Sequence, residues 1–306
     1  MSTTPGSQTE SSTTPAPCLD PARPFGAHLT MRWWVPVLLT VVVVAATYAL
    51  QVLLLGAAAL LEVGLLGKDP ADTSLTPLTY LAKDLSIILL APLALLVLVK
   101  MARVSWRSAL RGTGDFRWRR LGAYLGVFAV LMVAVNLALQ LIHPSPLSLF
   151  AVTGTTVALL ALVLLTTPFQ AAAEEIVFRG VLTASYASWV RSARPAVIVG
   201  IIGSSTLFTV LHTSADLWMI VNYLGLGVSC ALMALLGRGL EAPIAFHVMN
   251  NVFAMGIGAL FAAGGGIGQE RGAGSGGPYL LLFLLAEAVA VLIVWHTEKR
   301  RPRAQS

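Results

Sequence analysis

The sequence is short of charge. Only 11% of its 306 residues are Asp, Glu, Lys or Arg, while 57% are hydrophobic. A soluble domain carries about 25% charged residues. A larger core cannot explain so large a deficit, so the composition excludes an ordinary soluble protein and points to a membrane protein. Cysteine is scarce too. Cys18 lies in a polar tail and Cys230 in an apolar run, which excludes a disulfide framework and leaves no Cys-x-x-Cys zinc pair. No signal peptide is expected. The first apolar run starts near Trp33 and continues to about Leu61, too long for a signal-peptide core and long enough to span. The net charge is +6, but the basic residues sit between long apolar runs. That assigns them to a membrane surface and argues against nucleic acid.

What is present begins with a polar tail. Of residues 1–24, 14 are Ser, Thr or Pro, and such a segment cannot bury enough apolar surface to order itself. Eight apolar runs follow, at about 33–61, 78–99, 121–142, 151–173, 196–213, 217–236, 242–263 and 279–295. They predict an all-α polytopic membrane protein of about eight transmembrane helices. The fourth run is expected to continue as a more polar helix through Glu174 towards Trp189. The chain divides into a disordered cytoplasmic tail (1–30), N-terminal transmembrane helices (31–150), a core (151–263), and a last helix with a basic tail (264–306). With the N-terminus inside, 17 of the 20 Lys and Arg residues fall on the inner side, and only Lys68, Lys83 and Arg271 outside. This bias predicts a cell-membrane protein with both termini in the cytoplasm.

Several polar residues are out of place in so apolar a chain. Glu174 and Glu175 follow three alanines in "AAAEEIVFRG". They fit a solvated surface turn, with Glu175 and Arg179 paired at i,i+4. They equally fit a packed interior, since small residues let helices approach closely. Two adjacent acids cannot both ionise easily in a low-dielectric site, which suits one of them to general-base work; Arg179 would hold the other charged. His212 follows Phe208 by one turn, and taken alone it reads as a structural histidine near a helix end. His247 and Asn251 share a helix face while Asn250 points elsewhere; such a pair either glues helices together or faces a shared cavity. Asn136 and Gln140 read as interhelical hydrogen-bonders. Glu287 is an intramembrane acid in need of a partner or water. His28, His143 and His296 carry no signal.

Taken in order, Glu174-Glu175-x-x-x-Arg179, Phe208-x-x-x-His212 and His247-x-x-x-Asn251 resemble the CAAX-protease and bacteriocin-processing (CPBP or Abi) family of intramembrane proteases. That pattern is EExxxR, FxxxH and HxxxN on successive membrane helices, and the likeness covers roughly residues 154–255. The resemblance implies an intramembrane endopeptidase that cuts a peptide or membrane-protein substrate near the cytosolic face. Its catalytic residues would be Glu174, Glu175, His212, His247 and Asn251, supported by Arg179 and Phe208. Two mechanisms fit. In one, Glu174, His212 and His247 hold a zinc ion with an open water position. In the other, no cofactor is needed: Glu174 and His212 activate water, and His247 and Asn251 donate to the oxyanion. The second is preferred, because Asn251 suits an oxyanion better than zinc and no His-Glu-x-x-His helix is present. A non-catalytic immunity or scaffold member of the family is the main alternative. A proton-coupled transporter is a weaker one, since no repeated half is visible.

Spacing gives one agreement and one difficulty. Positions 174 and 212 are centred on the basic turn "RSARP", so an antiparallel hairpin would bring Glu174 and His212 to one height. Straight, complete spans, however, would put His212 and His247 at opposite ends of helices about 30 Å long. Tilt, a shortened sixth span, or bending near Gly225 and Gly227 is then required.

Overall fold

A computed structural model of the chain describes residues 20, 22–111 and 115–299. The described part is helical, with α1 Trp34–Leu66, α2 Pro77–Ala102, α3 Trp106–Arg111, α4 Trp118–Ile142, α5 Gly154–Leu165, α6 Thr167–Glu175, α7 Thr183–Ala187, α8 Ala193–Leu211, α9 Leu217–Gly237, α10 Glu241–Leu260 and α11 Leu281–Lys299. Among the described residues, eight helices or helix runs are long and apolar enough to cross a membrane, and the fourth is the continuous stretch Gly154–Ala187 formed by α5 to α7. The protein is an all-α polytopic membrane protein. Large apolar side chains stand exposed along α1 and α4, among them Val52, Leu60, Val130 and Leu141. Faces of that kind suit hydrocarbon, where a helix satisfies its own backbone.

Local sequence explains where the helices start and stop. Thr76 and Thr79 form a reciprocal capping box at α2, with Pro77 in its first turn. Thr153 caps α5, and Asp216 caps α9. Gly67 ends α1 in the left-handed region at φ 67°.

The centre of the bundle is packed by Phe128, Phe178, Phe208 and Phe246 in edge-on contacts. The segments expected as 31–150 and 151–263 pack directly on one another, α2 against α6 and α4 against α10. The expected disordered tail over 1–30 lies mostly outside the described residues, as does Cys18. Its last part is packed: Phe25, Ala27, His28 and Leu29 are buried, and His28 stacks on Phe25 at 5.1 Å. Asn136 and Gln140 do not bridge helices as expected. Asn136 donates to the Met132 carbonyl of its own helix, and Gln140 bonds Ser145 in the turn that follows. Glu287 is buried against the backbone of Gly225, where a Cβ would lie 2.5 Å from its Oε2.

Candidate active site

The acid pair ends α6, and the next seven residues, Ile176–Leu182, wind as a π-helix. Wide turns of this kind recur at functional sites. Ala171 and Ala173 are buried. Ala171 packs with Ile244 and Val248 of α10, so its small side chain lets α10 come close. The hairpin of α7 and α8 turns at residues 188–192. Thr183 meets both Ser204, hydroxyl to hydroxyl at 2.7 Å, and the backbone at Gly200. Those contacts fix the register of the hairpin around Thr183.

The two acids differ in surroundings. Glu175 is fully buried. Its Oε1 meets Arg179 Nη1 at 3.1 Å and His247 Nδ1 at 2.7 Å. Arg179 is itself 1% exposed; it also donates to the carbonyls of Leu226 and Gly227 and lies 4.7 Å from the Phe208 ring. Glu174 is 8% exposed, and its Oε2 lies 3.2 Å from His247 Nε2. His247 therefore presents one nitrogen to each carboxylate. A neutral imidazole has one donor and one acceptor nitrogen. Either both nitrogens carry protons, or one carboxyl does. Counting Glu174, His247, Glu175 and Arg179 together, the net charge is zero in both cases. A proton can pass between Glu174 and His247 without leaving an unbalanced charge in the bundle.

His212 stands apart from this quartet. Its Nδ1 lies 2.7 Å from the Phe208 carbonyl. A carbonyl only accepts, so Nδ1 carries a proton, and in the neutral ring Nε2 keeps a lone pair. Its ring packs on Phe208 and on Tyr223 at centroid distances of 4.4 and 4.2 Å. Tyr223 is within electrostatic reach of Glu174. Phe208 also lies 6.0 Å from the His247 ring, so it neighbours both histidines. The shortened sixth span is not observed: α9 runs 21 residues without a break. Gly227 instead serves a close approach, because a Cβ there would lie 2.9 Å from that of Ser205.

Asn251 donates to Gln170 Oε1 at 3.2 Å and accepts from Asn250 at 3.2 Å. Asn250 thus reaches its neighbour rather than pointing away. Gln170 lies one turn before Glu174 on α6 and has no counterpart in the motifs. Asp84 is a second residue that the motifs miss. It is fully buried, paired with Lys83 at 3.1 Å, and accepts from the hydroxyls of Thr166 and Thr167. Its mark in the sequence is a charged pair inside an apolar run. These bonds tie α2 to the start of α6.

Among the described residues, Glu174, His212 and His247 do not bring their donor atoms all within 4.8 Å of one another. Among the described residues, the group whose donor atoms lie within 4.8 Å of one another is Glu175, Cys230 and His247. Glu175 and His247 are already hydrogen-bonded there, and the Arg179 guanidinium adjoins them. A dication would meet a buried cation, so this group does not fit zinc.

Residues 155–253 match the family described as Type II CAAX prenyl endopeptidase Rce1-like. The family resemblance read from the motifs holds. The Rce1-like match takes in α5 to α9 and most of α10, with all seven motif residues, and leaves out Asp84 and the loop after α10. An uncharacterized protein of Bacillus subtilis (strain 168), YyaK, is 28% identical over 155 residues, 48% of this chain and 50% of its own. The chain thus spans about half the length of the curated relative it matches. No solved structure matches.

Proposed function

We propose that the protein is an intramembrane endopeptidase of the cell membrane that hydrolyses a peptide bond with water activated by Glu174. The observation that carries this reading is the bridge of His247 between two unlike buried carboxylates, Glu175 ion-paired with Arg179 and Glu174 facing His247. Glu174, helped by the Nε2 lone pair of His212, takes a proton from water, and the water oxygen bonds to the scissile carbonyl carbon. Protonated Glu174 holds the Nε2–H of His247 less tightly, which frees that donor for the oxyanion alongside the Asn251 amide. The carbon–nitrogen bond then breaks, and Glu174 passes its proton to the leaving amine. Glu175 keeps its charge and fixes the imidazole. Each of these steps uses side chains alone.

The family description supports a peptide substrate presented from the bilayer. The basic residues support an orientation with both termini in the cytoplasm. The test is a comparison of membrane proteomes from cells making the protein and cells making Glu174→Ala at equal level. A new peptide terminus that depends on Glu174 is expected. Identical termini in both would contradict the reading.

A further inference from the structure

The loop between α10 and α11 lies outside the matched segment, yet it closes over the end of α8. Arg271 Nη1 donates to the carbonyl of His212 at 2.6 Å. The Arg271 carbonyl accepts in return from the Ala215 amide at 2.9 Å and the Ser214 hydroxyl at 3.2 Å. A few residues on, the Gly274 amide donates to Asp216 Oδ2 at 2.9 Å. Gly276 lies so close to the same carboxylate that a Cβ would be 2.4 Å from Oδ1. Asp216 also caps α9 through the Met219 amide, and these backbone donors hold its carboxyl below the usual range. The near end of the loop is tied down by Thr153, which donates to the Gly264 carbonyl, and by the pairing of Ile267 with Leu75.

His212 sits where the chain needs such a tether. It closes α8, and Thr213 directly after it has φ 50°, in the left-handed region that a β-branched residue rarely adopts. The last carbonyls of a helix have no partner within it, and a cation beside them meets the negative end of the helix dipole. The bond to Phe208 anchors the ring of His212 at Nδ1, and the bond from Arg271 anchors the peptide that carries it.

The geometry points to Arg271 as a positioning residue for His212, holding the peptide that carries the ring so that Nε2 faces the site. This rests on the endopeptidase reading. Arg271 acts through His212 and touches none of the other motif residues.

The test uses the full chain in lipid nanodiscs with a fluorogenic farnesylated CAAX peptide as probe. Arg271→Ala lowers kcat by about tenfold to a hundredfold, the scale of an ångström-sized misplacement, with KM within about twofold. Arg271→Lys recovers most of the rate, and Glu270→Ala on the same loop is neutral. In a His212→Ala background, Arg271→Ala costs nothing more. A wild-type kcat in Arg271→Ala, or a further loss in the double variant, overturns the proposal. Should the wild type leave this peptide uncut, nitrogen-15 histidine spectra still decide. The His212 ring signals, assigned by their loss in His212→Gln, show one Nδ1–H tautomer in the wild type and an averaged ring in Arg271→Ala. Unchanged ring signals overturn the role of Arg271 independently of what the protein cleaves.

Discussion

Replacing Glu175 by Gln removes one charge and almost no volume, and the structure sets the size of the response. Glu175 Oε1 faces Arg179 and His247 at 3.1 and 2.7 Å, in a place where neither Glu175 nor Arg179 meets solvent. Without the carboxylate, Arg179 keeps only neutral neighbours, the carbonyls of Leu226 and Gly227 and the Phe208 ring. Leaving a buried charge without its partner costs about 3–5 kcal/mol. The Gln oxygen still accepts one hydrogen bond, which offsets about 1 kcal/mol. A net loss of about 2–4 kcal/mol follows, or one to three powers of ten in the folding equilibrium at 1.4 kcal/mol per tenfold. Glu174→Gln should lose less, about 1 kcal/mol, because its hydrogen-bond partner His247 can be neutral and no buried charge is then left without its partner. The assay is denaturant unfolding of both variants and the wild type in one detergent. Arg179→Met added to Glu175→Gln should recover much of the loss, since removing both charges removes the unpaired one. A Glu175→Gln protein as stable as the wild type, or less affected than Glu174→Gln, would refute this account of the acid pair.

Three further outcomes are expected. Asn251→Ala slows turnover by about a hundredfold or more, the usual effect of losing one oxyanion donor, and an unchanged kcat would remove Asn251 from the site. Activity survives a strong chelator in folded, metal-depleted protein. Stoichiometric zinc whose removal reversibly stops cleavage would instead show that the metal mechanism is the right one. Reporter fusions at Ser306 and in the loop 264–277 report opposite sides of the membrane, and the same side for both would overturn the proposed orientation.

The spans were legible because hydrocarbon imposes a long, unbroken apolar signal that needs no tertiary information. The run read as 78–99 is the helix Pro77–Ala102, and the polar continuation beyond residue 173 is the stretch to Ala187. The motif residues were legible for a related reason: a charged group in an apolar run stands out, and only chemistry or pairing retains it there. The partners were not. Gln170 reads as an ordinary polar residue until α10 brings Asn251 against it, and Arg271 reads as a loop charge until the loop folds over α8. Asn136 and Gln140 stood out as strongly as Glu174 did, yet they satisfy themselves locally. Polarity in an apolar run thus marks a residue to explain without saying what meets it. The π-helical turns after Glu175 also left no trace in composition.

The central claim is that the Glu174 carboxylate activates the water. Its most direct test is single-turnover cleavage of a substrate peptide by purified, reconstituted wild-type protein and by Glu174→Gln, with folding of both checked by unfolding. The account predicts that Glu174→Gln folds and inserts normally and cleaves at least about a hundredfold more slowly, the lower range for losing a general base. Cleavage by folded Glu174→Gln at close to the wild-type rate would contradict it.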